Sequence, residues 1–177
     1  LCKLGAVYQF AKKREDYHLP TPPIHKVLAF IGPPGTAKTT SARYFAEMMI
    51  EEELLSGGSM AYVTGTQLKA KYVGQTSDKV HQIFENNDII IIDEAYSLVN
   101  YNEAERTDNF SQEALAQLCI EVEEHSHDKL IIFAGYGGDI HEKNNKMKRF
   151  LDENPGIASR ITFTVHFSAY SAKEMLE

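Results

Sequence analysis

Short runs of apolar residues recur along the chain, separated by longer segments in which apolar residues have helical spacing. The isoleucines at 89–92 form one such run, and an unbroken apolar run is typical of a parallel strand covered on both faces. Similar runs occupy residues 26–31, 60–63 and 130–134. Because strands that alternate with helices build βαβ units, the pattern predicts an α/β fold with helices on both faces of a parallel sheet.

Helical stripes account for much of the sequence between the runs. Apolar positions three or four residues apart predict helices within 1–14, 38–53, 80–84 and 115–122. Residues 161–168 instead alternate between apolar and polar, which predicts a strand buried on one side and lying near the edge of the sheet.

Helix-breaking and helix-starting residues divide the chain into three parts. Prolines at 20, 22 and 23 end the first helix, and the capping-box pattern Ser171-Ala-Lys-Glu174 starts a new helix near residue 172. We therefore expect an N-terminal helix with a proline-rich connector (1–22), an αβ domain (23–170) and the beginning of a further helical unit (171–177).

Composition and charge narrow the functional classes. The 177 residues are 43% apolar and 24% charged, as in an ordinary globular protein, and charged residues recur too often for a membrane-spanning helix. The net charge of −7 disfavours nonspecific wrapping of nucleic acid. Two cysteines are too few for a disulfide framework and indicate a reducing compartment, so we expect a cytoplasmic location.

The most specific motif is the segment Gly-Pro-Pro-Gly-Thr-Ala-Lys-Thr-Thr at 32–40, which lies between a predicted strand and a predicted helix. This is the context of a phosphate-binding loop, whose small residues let successive backbone N–H groups face the phosphates. Lys38 can reach the β- and γ-phosphates of a nucleotide, and the Thr39 hydroxyl can bind Mg²⁺. The predicted nucleotide-binding residues of this loop are Gly32, Pro33, Pro34, Gly35, Thr36, Ala37, Lys38, Thr39 and Thr40.

Ala37 departs from the usual form of this loop, which has glycine immediately before the lysine. A methyl group at this position could crowd the phosphates or strain the turn. We expect nucleotide binding to survive, because alanine adds the smallest possible side chain.

Two carboxylates, Asp93 and Glu94, directly follow the isoleucine run. They are expected at the carboxyl edge of the sheet, where ligands bind in open α/β folds. Asp93 can hold Mg²⁺ through its water shell, and Glu94 can orient and polarise the attacking water. Acids after a strand can equally cap a helix, but the phosphate loop upstream favours the catalytic interpretation.

Together these motifs resemble the AAA+ ATPases over residues 23–170, with the phosphate loop as Walker A and the Asp-Glu pair as Walker B. The resemblance is strongest to the group that contains the stage V sporulation protein K, the red-type rubisco activase CbbX and the secretion ATPase EccA. The segments that carry it are 25–40, 72–76, 92–98, 110–114, 134–136, 154–156 and 159–160.

The resemblance implies the three-layer αβα sandwich of P-loop NTPases, with a five-stranded parallel sheet, and a ring that is usually a hexamer. It implies that Arg160 is an arginine finger supplied to a neighbouring subunit; without the family, a surface ion pair would be expected. Tyr136 lies where many relatives have a polar sensor residue that contacts nucleotide or water. Residues 171–177 would begin the helical lid.

The resemblance also implies that Tyr72, Val73 and Gly74 form a pore loop that grips an extended protein substrate. The alternative is that Tyr72 merely packs under the following helix. The leading functional prediction is an ATP-hydrolysing motor that remodels or threads proteins. A AAA+ motor on nucleic acid, of the clamp-loader or helicase type, and a nucleotide-dependent switch with weak hydrolysis remain as alternatives.

Two other features receive structural interpretations. His125 and His127, with Cys119 upstream, lack further ligands at standard zinc spacing, so we assign the cysteine to the apolar stripe and the histidines to a helix end. The acidic runs 51–53 and 121–124 are interpreted as solvated helix faces.

Overall fold

A single five-stranded sheet forms the centre of the computed structural model, which describes residues 2–21, 23–69, 75–99, 109–137 and 145–170. The strands are β1 (Val27–Gly32), β2 (Met60–Thr64), β3 (Ile89–Asp93), β4 (Leu130–Tyr136) and β5 (Phe163–His166). Their order in the sheet is β2-β3-β4-β1-β5, and every neighbouring pair is parallel. The predicted α/β fold is therefore confirmed.

Helices connect the strands and cover both faces of the sheet. They are α1 (Cys2–Asp16), α2 (Lys38–Glu51), α3 (Gly65–Leu68), α4 (Thr76–Asn86), α5 (Asn109–His125), α6 (Lys146–Glu153) and α7 (Pro155–Ala158), with a 3-10 helix (Ala95–Leu98) after β3. Within the described ranges, no helix has the length and apolar character that crossing a membrane requires.

The core consists of two apolar layers, one on each face of the sheet. Successive residues of β3 alternate between them: Ile89 and Ile91 pack with α1 and α2, whereas Ile90 and Ile92 pack with α4, α5 and α6. Because both layers are buried, all four positions must be apolar, which explains the unbroken isoleucine run. Burial of each side chain contributes about 1.5–3 kcal/mol.

The strand at 163–166 lies at the edge of the sheet, as its alternating pattern predicted. Its partner is β1, with Phe30 opposite Val165, and its residues alternate between partly buried and exposed. The end of β1 approaches this region so closely that a Cβ on Gly32 would collide with the backbone and side chain of Phe167. Only glycine fits where β1 enters the phosphate-loop segment.

The interpretation of residues 121–124 as a solvated face is wrong for Glu121. Its side chain is 1% exposed. Helix α5 turns this residue toward α4, where His81 Nδ1 lies 2.8 Å from Glu121 Oε1. Gln117, one turn earlier on α5, donates a second hydrogen bond to the same oxygen at 2.7 Å. The run 51–53 is exposed, as predicted.

Candidate functional site

The segment between β1 and α2 forms a tight loop whose shape depends on its small residues. Gly35 has φ 75°, in the left-handed region that glycine adopts without steric cost. The buried Thr36 closes the turn by donating its hydroxyl to the carbonyl of Pro33 at 2.8 Å. Helix α2 then begins at Lys38, and no side chain caps its N-terminus. Its first-turn N–H groups therefore suit an anion.

The backbone of Ala37 is strained, as expected where alanine occupies a position that usually holds glycine. Ala37 is the N-cap of α2 and has φ 57° and ψ 26°, in the left-handed region. An L-residue with a Cβ pays a steric cost of about 1–2 kcal/mol in that conformation. The backbone at this position thus has a conformation that glycine adopts without that cost, although the residue is alanine.

Replacing Ala37 with Gly should raise the free energy of unfolding by about 0.5–1 kcal/mol, because relief of strain exceeds the added entropy of the unfolded chain. Urea denaturation with an unchanged slope would measure the gain. Ala11→Gly is the matched control: this residue lies in helix α1, so the substitution should destabilise the protein. Equal loss of stability in both variants would contradict the strain at Ala37.

Lys38 folds back over the loop that precedes it. Its Nζ donates hydrogen bonds to the carbonyl oxygens of Gly32 at 2.9 Å and Pro33 at 2.6 Å. Burial lowers the pKa of the amine, and the nearby Asp93 carboxylate opposes that shift. The loop backbone therefore holds this positive charge close to the start of α2.

Thr39 and Asp93 are hydrogen-bonded to each other across the gap between α2 and β3. The Thr39 hydroxyl donates to Asp93 Oδ2 at 2.8 Å. Burial raises the pKa of Asp93, but hydrogen bonds from Tyr62, Thr39 and the Glu94 N–H, together with the charge of Lys38, outweigh it and leave the pKa below its usual range. A hydroxyl beside an ionised carboxylate is a pair of hard oxygen ligands, which fits Mg²⁺.

Glu94 follows in an unusual backbone conformation. Its φ of 47° and ψ of 43° are left-handed, and its side chain is exposed where the 3-10 helix begins. Two hydrogen bonds support the turn: the Glu94 N–H donates to Asp93 Oδ1 at 2.8 Å, and its carbonyl accepts from the N–H of Ser97 at 2.7 Å. Strained non-glycine residues of this kind are concentrated at functional sites.

A cavity of about 520 Å³ brings most of the predicted site residues together. Its lining residues are Pro34, Gly35, Thr36, Ala37, Lys38, Thr39, Thr40, Tyr62, Thr64, Asp93, Glu94, Tyr96, Gly135 and Tyr136. Gly32 and Pro33 lie beneath it and supply the carbonyls that hold Lys38. Tyr136 reaches the cavity because β4 ends beside β1, with Tyr136 in register with Gly32.

Sequence reasoning missed Tyr62, which the structure places against the Asp93 carboxylate. The Tyr62 hydroxyl donates to Asp93 Oδ2, and the guanidinium of Arg43 lies over its ring at 5.2 Å from the centroid. The contact arises because β2 pairs with β3, with Thr64 opposite Asp93. Nothing in the sequence of β2 signals this pairing. Tyr62 supports the orientation and the ionised state of Asp93.

Arg160 is not among the residues that line the cavity. The Arg160 guanidinium lies against α5 instead, where it pairs with Glu123 Oε1 at 2.9 Å and donates to the carbonyl of Gly156 at 2.7 Å. The predicted pore-loop residues Tyr72, Val73 and Gly74 lie outside the described residues.

The parallel sheet and the loop at the start of α2 define an α/β domain of the P-loop class. Residues 28–153 match the model of the AAA family, the ATPase family associated with various cellular activities. The chain belongs to this family.

The chain is also similar to the relatives that its motifs suggested. It is 36% identical to the chloroplastic ribulose bisphosphate carboxylase/oxygenase activase of Cyanidioschyzon merolae, over 84% of this chain and 48% of that protein. The identity is 33% to the stage V sporulation protein K of Bacillus subtilis, over 85% of this chain and 44% of the relative. The identity to the ESX-1 secretion system protein EccA1 of Mycobacterium tuberculosis is 34%, over 86% of this chain and 26% of that relative. This chain spans about half or less of the length of these relatives.

Proposed function

We propose that this chain is the nucleotide-binding domain of an ATP-hydrolysing motor that remodels or threads a protein substrate. The observation that carries the proposal is the cavity in which Lys38, the Thr39–Asp93 pair and Glu94 meet. A cation, two hard oxygen ligands and an exposed carboxylate are the groups that hydrolysis of a nucleoside triphosphate needs. The names of the relatives, a rubisco activase and proteins of sporulation and secretion, support action on other proteins.

ATP would bind with its phosphates against the start of α2. The loop N–H groups and Lys38 bind the β- and γ-phosphates, and Thr39 with Asp93 would hold Mg²⁺. When bound, the ion neutralises charge on the phosphates. Tyr62 keeps the Asp93 carboxylate in place through its hydrogen bond.

Glu94 would act on the attacking water. Its carboxylate orients the water and accepts a proton as the oxygen attacks the γ-phosphorus. The bond from that phosphorus to the bridging oxygen of the β-phosphate breaks, which gives ADP and inorganic phosphate. Tyr136 lines the same cavity, and its phenol would contact the γ-phosphate or the water.

The remaining parts of the proposal concern the assembly. Subunits would form a ring, six in the usual arrangement, in which Arg160 of one subunit reaches the nucleotide of the next. The αβ domain would extend over 23–170, and 171–177 would begin a lid over the nucleotide. The cytoplasmic location expected from the cysteine content belongs to the same proposal.

Isothermal titration calorimetry of the full-length protein with ATP and Mg²⁺ tests the nucleotide site. Lys38→Ala removes charge-assisted hydrogen bonds worth about 1.5–3 kcal/mol, so the affinity should fall by about 10- to 100-fold. Lys13→Ala, at an exposed position of α1, should bind as the wild type does. Equal affinity in all three proteins, or no binding to the wild type, would refute the proposed site.

Tyr72→Ala tests the threading step. An aromatic ring offers a broad apolar face that grips an extended chain without regard to its sequence, so its loss should abolish substrate remodelling while basal ATP hydrolysis persists. Unfolding of a protein substrate, followed beside ATPase activity, measures both. Unchanged remodelling would contradict the pore-loop role, and hydrolysis stimulated by DNA, with a steep dependence on salt, would favour a nucleic-acid motor instead.

A further inference from the structure

The interface between α4 and α5 contains a buried carboxylate that is only half satisfied. Glu121 Oε1 has two polar neighbours, His81 Nδ1 at 2.8 Å and Gln117 Nε2 at 2.7 Å. Glu121 Oε2 is also buried, yet it accepts no hydrogen bond. A buried carboxylate oxygen that accepts no hydrogen bond is costly, so a cation bound beside it would stabilise the folded chain.

The imidazole of His125, one turn further along α5, lies between that oxygen and a second carboxylate. Its Nδ1 lies 3.3 Å from Asp128 Oδ2, and its Nε2 lies 3.5 Å from Glu121 Oε2. An ionised carboxylate only accepts hydrogen bonds, so Asp128 favours the tautomer with the proton on Nδ1. In that tautomer Nε2 carries a lone pair and can bind a metal ion, and it lies 3.5 Å from the buried oxygen.

A third ligand completes a cluster with metal-binding dimensions. One donor atom from each of Glu121, Glu124 and His125 lies within 4.8 Å of the others. Zinc bonds of about 2.0–2.1 Å place neighbouring tetrahedral ligands about 3.3 Å apart, close to the 3.5 Å between Nε2 and Oε2. A carboxylate on the other ring nitrogen, here from Asp128, is the usual outer partner of a metal-bound histidine.

We propose that Glu121, Glu124 and His125 bind one Zn²⁺ ion on the side of α5 that faces α4. The imidazole ligand favours zinc over Mg²⁺ and Ca²⁺, which prefer oxygen ligands only. His81 would connect α4 to the ion through its hydrogen bond to Glu121. None of these residues lines the cavity beside the phosphate loop, so this metal site is separate from the proposed Mg²⁺ site.

The geometry also explains why histidine spacing along the sequence did not reveal the site. His127 stacks on His25, with ring centroids 4.3 Å apart, and takes no part in the cluster. The ligands instead have the spacing i, i+3 and i+4 on one helix face, and two of the three are glutamates within an acidic run.

Calorimetric titration of Zn²⁺ into the chelator-treated, untagged full-length protein without nucleotide tests the proposal. We expect one ion per chain and a Co²⁺ derivative with the visible absorption of a tetrahedral site. His125→Ala should abolish this binding, and Asp128→Asn should weaken it by about 10- to 100-fold. His127→Ala and Asp93→Asn, which leave the cluster intact, should bind zinc as the wild type does.

Circular dichroism melts establish that each variant folds, and both test variants change side chains that are partly or fully accessible. The proposal is overturned if the wild type binds no zinc, if His125→Ala binds zinc as tightly as the wild type, or if the wild type binds Ca²⁺ at this site as tightly as Zn²⁺.

Discussion

Replacing Glu94 with Gln should lower the single-turnover rate of ATP hydrolysis by about 10²- to 10⁴-fold, while ATP affinity changes little. Glutamine keeps the size of the side chain and can still orient a water molecule, but it cannot accept a proton. The left-handed backbone of Glu94 and its hydrogen bond to Asp93 Oδ1 do not involve the carboxylate, so the turn should survive. Quenched-flow hydrolysis and calorimetry on the same preparation separate the two effects.

The control for this variant is Glu47→Gln, on the exposed face of α2. It removes the same charge outside the cavity and should hydrolyse ATP at the wild-type rate. If Glu94→Gln retained full activity, Glu94 would have no catalytic role. Parallel losses in affinity and rate would instead indicate a damaged phosphate loop.

Replacing Arg160 with Ala should reduce hydrolysis by the assembled ring by about 10³- to 10⁵-fold, the range for loss of an arginine that stabilises charge on the γ-phosphate. In the structure this guanidinium pairs with Glu123, and its side chain is 23% exposed. The pair is weak because Glu123 is 68% exposed, so loss of the ion pair should cost at most about 1 kcal/mol. A large fall in rate with a small change in stability would therefore distinguish the finger from a surface ion pair.

Mixing two inactive proteins provides the sharper test of Arg160. A ring that combines Arg160→Ala with Glu94→Gln contains interfaces where an intact Glu94 faces an intact Arg160 from the neighbour. Such mixtures should recover part of the wild-type rate, whereas neither variant alone should do so. Arg149→Ala, which removes a guanidinium paired with Glu153 on α6, serves as the control and should remain active. No recovery on mixing would contradict a residue that acts across subunits.

The strand and helix order could be predicted from the sequence because burial on both faces demands unbroken apolar runs. The residues at 89–92 are isoleucines since one pair faces α1 and α2 and the other faces α4, α5 and α6. The edge position of β5 was predictable for the converse reason: a strand with one exposed face alternates between apolar and polar residues. The order of the strands within the sheet had no comparable local signal and was not predicted; it is known only from the structure.

For the candidate site, local motifs predicted the phosphate loop and the Asp93–Glu94 pair, and the structure places them around one cavity. The contact of Tyr62 with Asp93 was not predictable, because it depends on β2 lying beside β3. The sequence alone does not indicate which residues of two distant strands are paired, because that depends on the order of the strands in the sheet.

The α/β class and the loop that can receive phosphates follow from the amino-acid sequence alone, because both depend on residues that are neighbours along the chain. Which polar side chains are buried, and which groups they contact, depends on the packing of the folded chain. Glu121 belongs to an acidic run that suggests solvent, yet the packing of α5 on α4 encloses it beside His81. Burial depends on the partner surface as well as on the residue, and that surface exists only in the folded chain.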